Sequence, residues 1–340
     1  MKTPCLLSSA LLGVLFLFLH VSAVQMVSTL HTPQVPNRPL EYDSKLAHDP
    51  SLGSNPISDG WYADPDGIKF GDTYWIYATL SISFDEQTYF DAFSSQDLNS
   101  WTKHTQVFSA NGSEWAESSF WAPCVVERDG QYYFYYTANN PVANEDNAGI
   151  GVAVASTPGG PFIDLINEPI VGKRINEGNP MDPQVFVDDD GTYYLVWGGT
   201  RAFIAPLSAD MASLELSDDF AEPRDITPDH GYTEGAFMLK RDGLYYFMWS
   251  EGGYGTPDYR VAYAMSKSLF GPFNRAGLVL RKDDVADGPG HNSVFKDDDG
   301  QYYVVYHRRI IGDDVADHRI IAVDRMTFAS NGTIKVVQMT

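Results

Sequence analysis

One hairpin phrase recurs five times along this chain, and that recurrence limits the fold more than any other feature of the sequence. Each copy is a β-rich run, a Gly-Asp or Asp-Gly turn and an aromatic strand, at residues 67–77, 125–135, 185–195, 238–247 and 294–304. Asp-Gly between such runs is a strong hairpin signal. The aligned tyrosines Tyr74, Tyr132, Tyr193, Tyr245 and Tyr302 lie 58, 61, 52 and 57 residues apart. That period suits four-stranded propeller blades with variable loops. Third strands are expected at 91–98, 151–156, 202–207, 261–266 and 320–324, and Trp101, Phe162 and Phe273 cue fourth strands. Clean helical stripes are scarce, and a β-sandwich would not repeat one hairpin at this spacing. The expected fold is an all-β, five-bladed β-propeller forming a single domain over residues 56–340.

The first 55 residues carry no copy of the phrase. Lys2, the apolar run from Leu6 to Val21 and the small-residue pattern ending at Ala23 read as a signal peptide, 1–23, cleaved on secretion. The run is short for a membrane span of about 20 residues, so no membrane association is expected after cleavage. Residues 24–55, rich in proline and polar residues, read as an extended N-terminal arm. Cleavage would remove Cys5 and leave Cys124 alone, which excludes an intramolecular disulfide and reads as a buried, inert thiol. A net charge of −22 argues against nucleic acid and anionic lipid as partners. A secreted monomer acting on neutral substrates is expected, with Asn111 and Asn331 as glycosylation acceptors in a eukaryotic host.

Ten or eleven residues before the aligned tyrosines stand Asp64, Trp121 or Ala122, Asp182, Glu234 and His291. In a propeller these positions start the innermost strands and ring the axis at one mouth. Each acid alone is an ordinary turn residue before Pro or Gly. Three acids at one ring position repel one another and resist burial, a cost that packing alone has no use for. Glycosidic bond cleavage does have a use for it, since it needs a proton donor and an ionised carboxylate. Glu234 suits the general acid, Asp182 the neighbour that raises its pKa and orients it, and Asp64 the general base. Trp121, Phe120, Trp61 and Tyr62 offer apolar faces for a sugar. The acid runs 188–190 and 297–299 read as solvated hairpin turns rather than metal loops.

At these residues the chain resembles glycoside hydrolase family 43, five-bladed propellers that cleave arabinose- and xylose-containing glycans with inversion. The likeness rests on Tyr62-Ala-Asp-Pro65, Met181-Asp-Pro183 and Thr233-Glu-Gly235, with Trp121-Ala-Pro123, Ser250-Glu-Gly-Gly253, Gly290-His-Asn-Ser293 and Tyr306-His-Arg308 in support. It implies Asp64 as base, Asp182 as modulator and Glu234 as acid. It also implies Arg308 beside the sugar, and His291 facing a channel able to hold calcium or another cation, with no cofactor required. The expected activity is exo-acting α-L-arabinofuranosidase on plant polysaccharide side chains, with β-xylosidase and β-D-galactofuranosidase as alternatives. A non-catalytic glycan- or protein-binding propeller is the rival from another class, and a retaining invertase-like enzyme the rival mechanism.

Overall fold

The computed structural model describes residues 55–143, 147–217 and 220–340. The expected signal peptide and all of the expected arm except Asn55 lie outside them. The described chain is a five-bladed propeller. Blade 1 holds β1 (Tyr62–Phe70), β2 (Thr73–Leu80), β3 (Tyr89–Ser95) and β4 (Thr102–Ser109). Blade 2 holds β5 (Trp121–Arg128), β6 (Gln131–Ala138), β7 (Gly149–Ala155) and β8 (Ile163–Asp164). Blade 3 holds β9 (Gln184–Val187), β10 (Tyr193–Trp197), β11 (Phe203–Pro206) and β12 (Arg224–Asp225). Blade 4 holds β13 (Glu234–Arg241), β14 (Leu244–Glu251), β15 (Arg260–Ser266) and β16 (Arg275–Leu280). Blade 5 has three strands, β17 (Asp287–Lys296), β18 (Tyr302–Arg309) and β19 (Arg319–Met326).

The innermost strands touch in a closed cycle, β1 to β5, β9, β13, β17 and back to β1. The start of the described chain completes blade 5 along the outer edge of β19. Ile57 N–H donates to Ile321 O, and the Asn55 side chain both donates to Val323 O and accepts Val323 N–H. Backbone groups of an edge that the hairpin repeat leaves open are thereby paired.

Apolar side chains gather in five clusters, one at each blade interface. Phe90, Phe108, Phe120, Phe134 and Tyr136 fill the seam between blades 1 and 2. Trp197 and Tyr135 sit between blades 2 and 3, Trp249 and Phe247 between 3 and 4, Tyr246 and Tyr306 between 4 and 5, and Phe93 and Tyr303 between 5 and 1. A blade cannot bury both faces alone, so stacking its neighbours supplies the core. Cys124 is buried and free, and burial raises its thiol well above the usual range. The acid runs sit in hairpin turns, but Asp188 is not a solvated turn acid: its side chain is 12% exposed and pairs with Lys240 and Tyr245, while Asp297 accepts the Gln301 N–H. Asn111 and Asn331 are exposed.

Candidate active site

The ring of innermost strand starts has a backbone signature. Asp64, Ala122, Asp182, Gly235 and His291 all adopt left-handed backbone, with φ of 47°, 46°, 58°, 66° and 46°. Non-glycine residues pay on the order of 1 kcal/mol or more for this conformation, and such strain concentrates at functional sites. In blades 1, 2, 4 and 5 a register shift in the inner hairpin spans the same place. The bulge refines the expected equivalence. Asp64, Asp182 and His291 share the ring position, whereas Glu234 and Trp121 stand one residue before it.

Each left-handed residue exposes an N–H that the neighbouring blade satisfies. Ala122 N–H donates to Thr79 Oγ1, Asp182 N–H to Thr137 Oγ1, His291 N–H to Ser250 Oγ and Asp64 N–H to His307 Nδ1, over 2.8–3.1 Å. These four acceptors stand five residues after the aligned tyrosines. Blade 3 has Gly198 there, which has no side chain to offer, and the Asp182 carboxylate takes over by accepting the Gly235 N–H at 2.9 Å. Asp182 is thus tethered beside Glu234 by a gap in the repeat.

A cavity of about 380 Å³ opens over the ring, lined by Asp64, Asp182, Glu234 and His291 together with Trp121, Phe84, Asn140, Val142, Ala143, Met181, Tyr254 and Arg319. Trp121 is fixed by its indole N–H on Gln87 and by an edge contact with Phe84. Arg319 donates to Asp64 Oδ1 at 3.2 Å, donates through Nε to Ser81 Oγ, and lies over the Tyr254 ring. His307 Nδ1 and His291 Nδ1 stand 3.3 and 3.4 Å from the same Asp64 oxygen. Burial opposes ionisation of Asp64, but the Arg319 guanidinium outweighs it, so the carboxyl is held far below the ordinary range. Burial lowers both histidines, His307 to about 4, which keeps them neutral.

Glu234 and Asp182 behave oppositely. Burial, with the Asp64 charge adding to it, raises Glu234 to about 6 although the Tyr259 hydroxyl pulls the other way. Burial, then Glu234 and Asp64, raise Asp182 well above its usual value. Two such neighbours titrate as a pair. One cavity therefore combines an ionised carboxylate with a carboxyl poised to give up a proton.

Several expected binding residues lie elsewhere. Arg308 is buried on the opposite side of β18, donating to Thr340 O and Tyr306 Oη. The cation beside the acids is Arg319, whose signal is weak because it lies in no repeated phrase. Phe120 is fully buried in the seam between blades 1 and 2. Tyr62 is 4% exposed and spends its hydroxyl on Asp91 and Lys103. Trp61 stacks on His318 with ring centroids 4.2 Å apart and does not line the cavity. Of the six expected binding residues, Trp121 and His291 are the two that line it. His291 is committed to Asp64 and Asp182, and among the described residues no three His, Cys, Asp or Glu side chains converge as metal ligands. These residues do not fit a cation site at His291.

Comparison with known proteins agrees with this geometry. Residues 53–334 match the model of glycosyl hydrolases family 43. A β-D-galactofuranosidase of Aspergillus niger is 41% identical over 301 residues, covering 84% of this chain and 85% of that protein. Among solved structures, a thermostable family-43 glycoside hydrolase aligns with a TM-score of 0.73 and 26% identity over 85% of this chain and 96% of its own. An α-L-arabinofuranosidase of Clostridium thermocellum aligns with a TM-score of 0.68 and 30% identity, over 82% and 94% respectively. The chain belongs to glycosyl hydrolase family 43.

Proposed function

We propose that this chain is a secreted, inverting, exo-acting furanosidase that releases terminal β-D-galactofuranose. Asp64 acts as general base, Glu234 as general acid, and Asp182 as the residue that orients Glu234 and raises its pKa. The observation that carries the mechanism is the opposite protonation of two carboxyls in one cavity. Asp64 is kept ionised by Arg319, and Glu234 is raised to about 6. An ionised Asp64 can take a proton from water while Glu234 protonates the leaving oxygen, the two roles an inverting hydrolysis needs. Acid and base steps of this kind contribute roughly 10²- to 10⁴-fold each.

The substrate choice rests on the Aspergillus niger relative. It moves the preference away from α-L-arabinofuranose, which the sequence alone favoured. The two sugars share ring stereochemistry, and galactofuranose adds one hydroxymethyl group beyond C5. A site that reads the ring can admit both, which makes α-L-arabinofuranoside the second reading and fits the arabinofuranosidase among the structural neighbours. A panel of 4-nitrophenyl β-D-galactofuranoside, α-L-arabinofuranoside and β-D-xyloside tests it, with kcat/KM expected to be highest for the first. Proton NMR of the first-formed sugar tests the stereochemistry: the α-anomer supports the reading, and the β-anomer overturns inversion. Detection of the mature chain in the medium of an expressing host checks secretion.

A further inference from the structure

Tyr259 precedes β15, lies outside the repeated hairpins and is fully buried. Its hydroxyl donates to Glu234 Oε1 at 2.7 Å. Its ring stacks on His307, with centroids 5.6 Å apart and planes 5° from parallel. His307 in turn accepts the Asp64 N–H. β17 also presses on the ring: a Cβ on Gly290 would sit 1.9 Å from Tyr259 Cε1, so only glycine permits this approach. One clamped aromatic stack therefore touches both reacting carboxyls.

We propose that Tyr259 is a positioning residue for the general acid, holding the Glu234 carboxyl in the orientation that delivers its proton to the leaving oxygen. The inference rests on Glu234 being the acid. With Oε1 engaged by Tyr259, the transferable proton belongs on Oε2, which has no protein hydrogen-bond partner among the described residues. The phenol remains a donor throughout, because burial and then the Glu234 charge push its pKa well above the usual value. The same donation favours ionised Glu234 and opposes the effect of burial. Removing it frees the carboxyl to rotate and raises its pKa.

The test compares wild type, Tyr259→Phe, Glu234→Gln and the double variant on methyl β-D-galactofuranoside, whose leaving group needs a proton, and on the 4-nitrophenyl glycoside, whose leaving group needs it far less. Circular dichroism verifies that each variant is folded. For Tyr259→Phe, kcat on the methyl glycoside should fall about tenfold, well beyond the loss on the nitrophenyl glycoside. The basic limb of kcat/KM should move up by about one pH unit. In the Glu234→Gln background Tyr259→Phe should cost nothing further, since its effect runs through the acid. A folded Tyr259→Phe enzyme with an unmoved basic limb and equal losses on both substrates overturns the positioning role and leaves the acid assignment standing. Full turnover of the methyl glycoside by Glu234→Gln overturns the acid assignment, and this inference with it.

Discussion

Arg319 Nη1 lies 3.2 Å from Asp64 Oδ1, and this ion pair keeps a largely buried carboxylate ionised at the ring of strand starts. Burial alone would push Asp64 upward.

Replacing Arg319 by Met keeps much of the volume and removes the charge. Asp64 is then a buried carboxylate without its guanidinium partner, and its pKa should rise into the accessible range. An acid limb should appear in kcat/KM, absent from wild type above pH 4, with activity at pH 5 falling by about a hundredfold. The wild-type pKa is depressed, so the pair's contribution to stability is present above the unfolded value near 4 and lost as pH falls through the folded one. Thermal melts at pH 7 should show the variant destabilised by about 3 kcal/mol. An unchanged pH profile would show that Arg319 does not set the ionisation of Asp64.

Asp182→Asn and Asp182→Ala separate the charge of Asp182 from its hydrogen bond. Asparagine retains an acceptor for the Gly235 N–H but removes the carboxyl that titrates together with Glu234. The basic limb of kcat/KM should therefore move to lower pH while the melting temperature stays near that of wild type. Alanine leaves the Gly235 N–H without its acceptor in the ring, at a cost of about 1–3 kcal/mol, and should lower the melting temperature as well. Equal melting temperatures for the two variants would refute the tether.

The acids of this ring were legible because Asp64, Asp182 and Glu234 each precede a repeated hairpin by a nearly constant count. What the count could not show was the bulge, which sets Glu234 and Trp121 one residue before the left-handed position. Arg308 was misplaced for a related reason. Successive side chains of a strand face opposite sides, so once His307 points toward Asp64, Arg308 points away from it. Arg319, Tyr254 and Tyr259 reach the acids from the β14–β15 and β18–β19 connections or the strand ends beside them. Those segments share no phrase with other blades, so the repeat carries no information about them. Tyr62 and Phe120 sit close in sequence to site residues, yet blade packing claims both, and sequence proximity does not distinguish a seam from a cavity wall.

Activity should decline as pH rises through about 6, because Glu234 must carry a proton to protonate the leaving oxygen and titrates near that value. Below it the base is already ionised, so kcat/KM should stay level down to about pH 4 where the substrate and fold permit. Glu234→Gln and Asp64→Asn should each lower kcat on the methyl glycoside by at least 10²-fold while the circular dichroism spectrum remains that of wild type. A kcat/KM optimum at pH 8 would contradict the assignment of Glu234 as the acid.

Two residues down the strand from Asp64, a second buried acid serves no step of the proposed reaction. Asp66 Oδ2 accepts the Val125 N–H at 2.8 Å inside the axis, where Cys124, Gln184 and Ser293 make equivalent bonds to the next blade. Burial raises Asp66 from 3.8 to about 7 despite that hydrogen bond. A carboxyl that titrates near 4 when unfolded and near 7 when folded binds its proton more tightly in the native state. Its contribution is fully present below about pH 4, and stability falls as pH rises through the window from 4 to 7. A shift of about three units corresponds to at most about 4 kcal/mol. Asn at position 66 keeps an acceptor for Val125 and cannot ionise, so Asp66→Asn should melt close to wild type at pH 4 and several degrees above it at pH 8. Equal melting temperatures at both pH values would mean that Asp66 is ionised in the native protein without penalty, and that the axis is wetter than its packing implies.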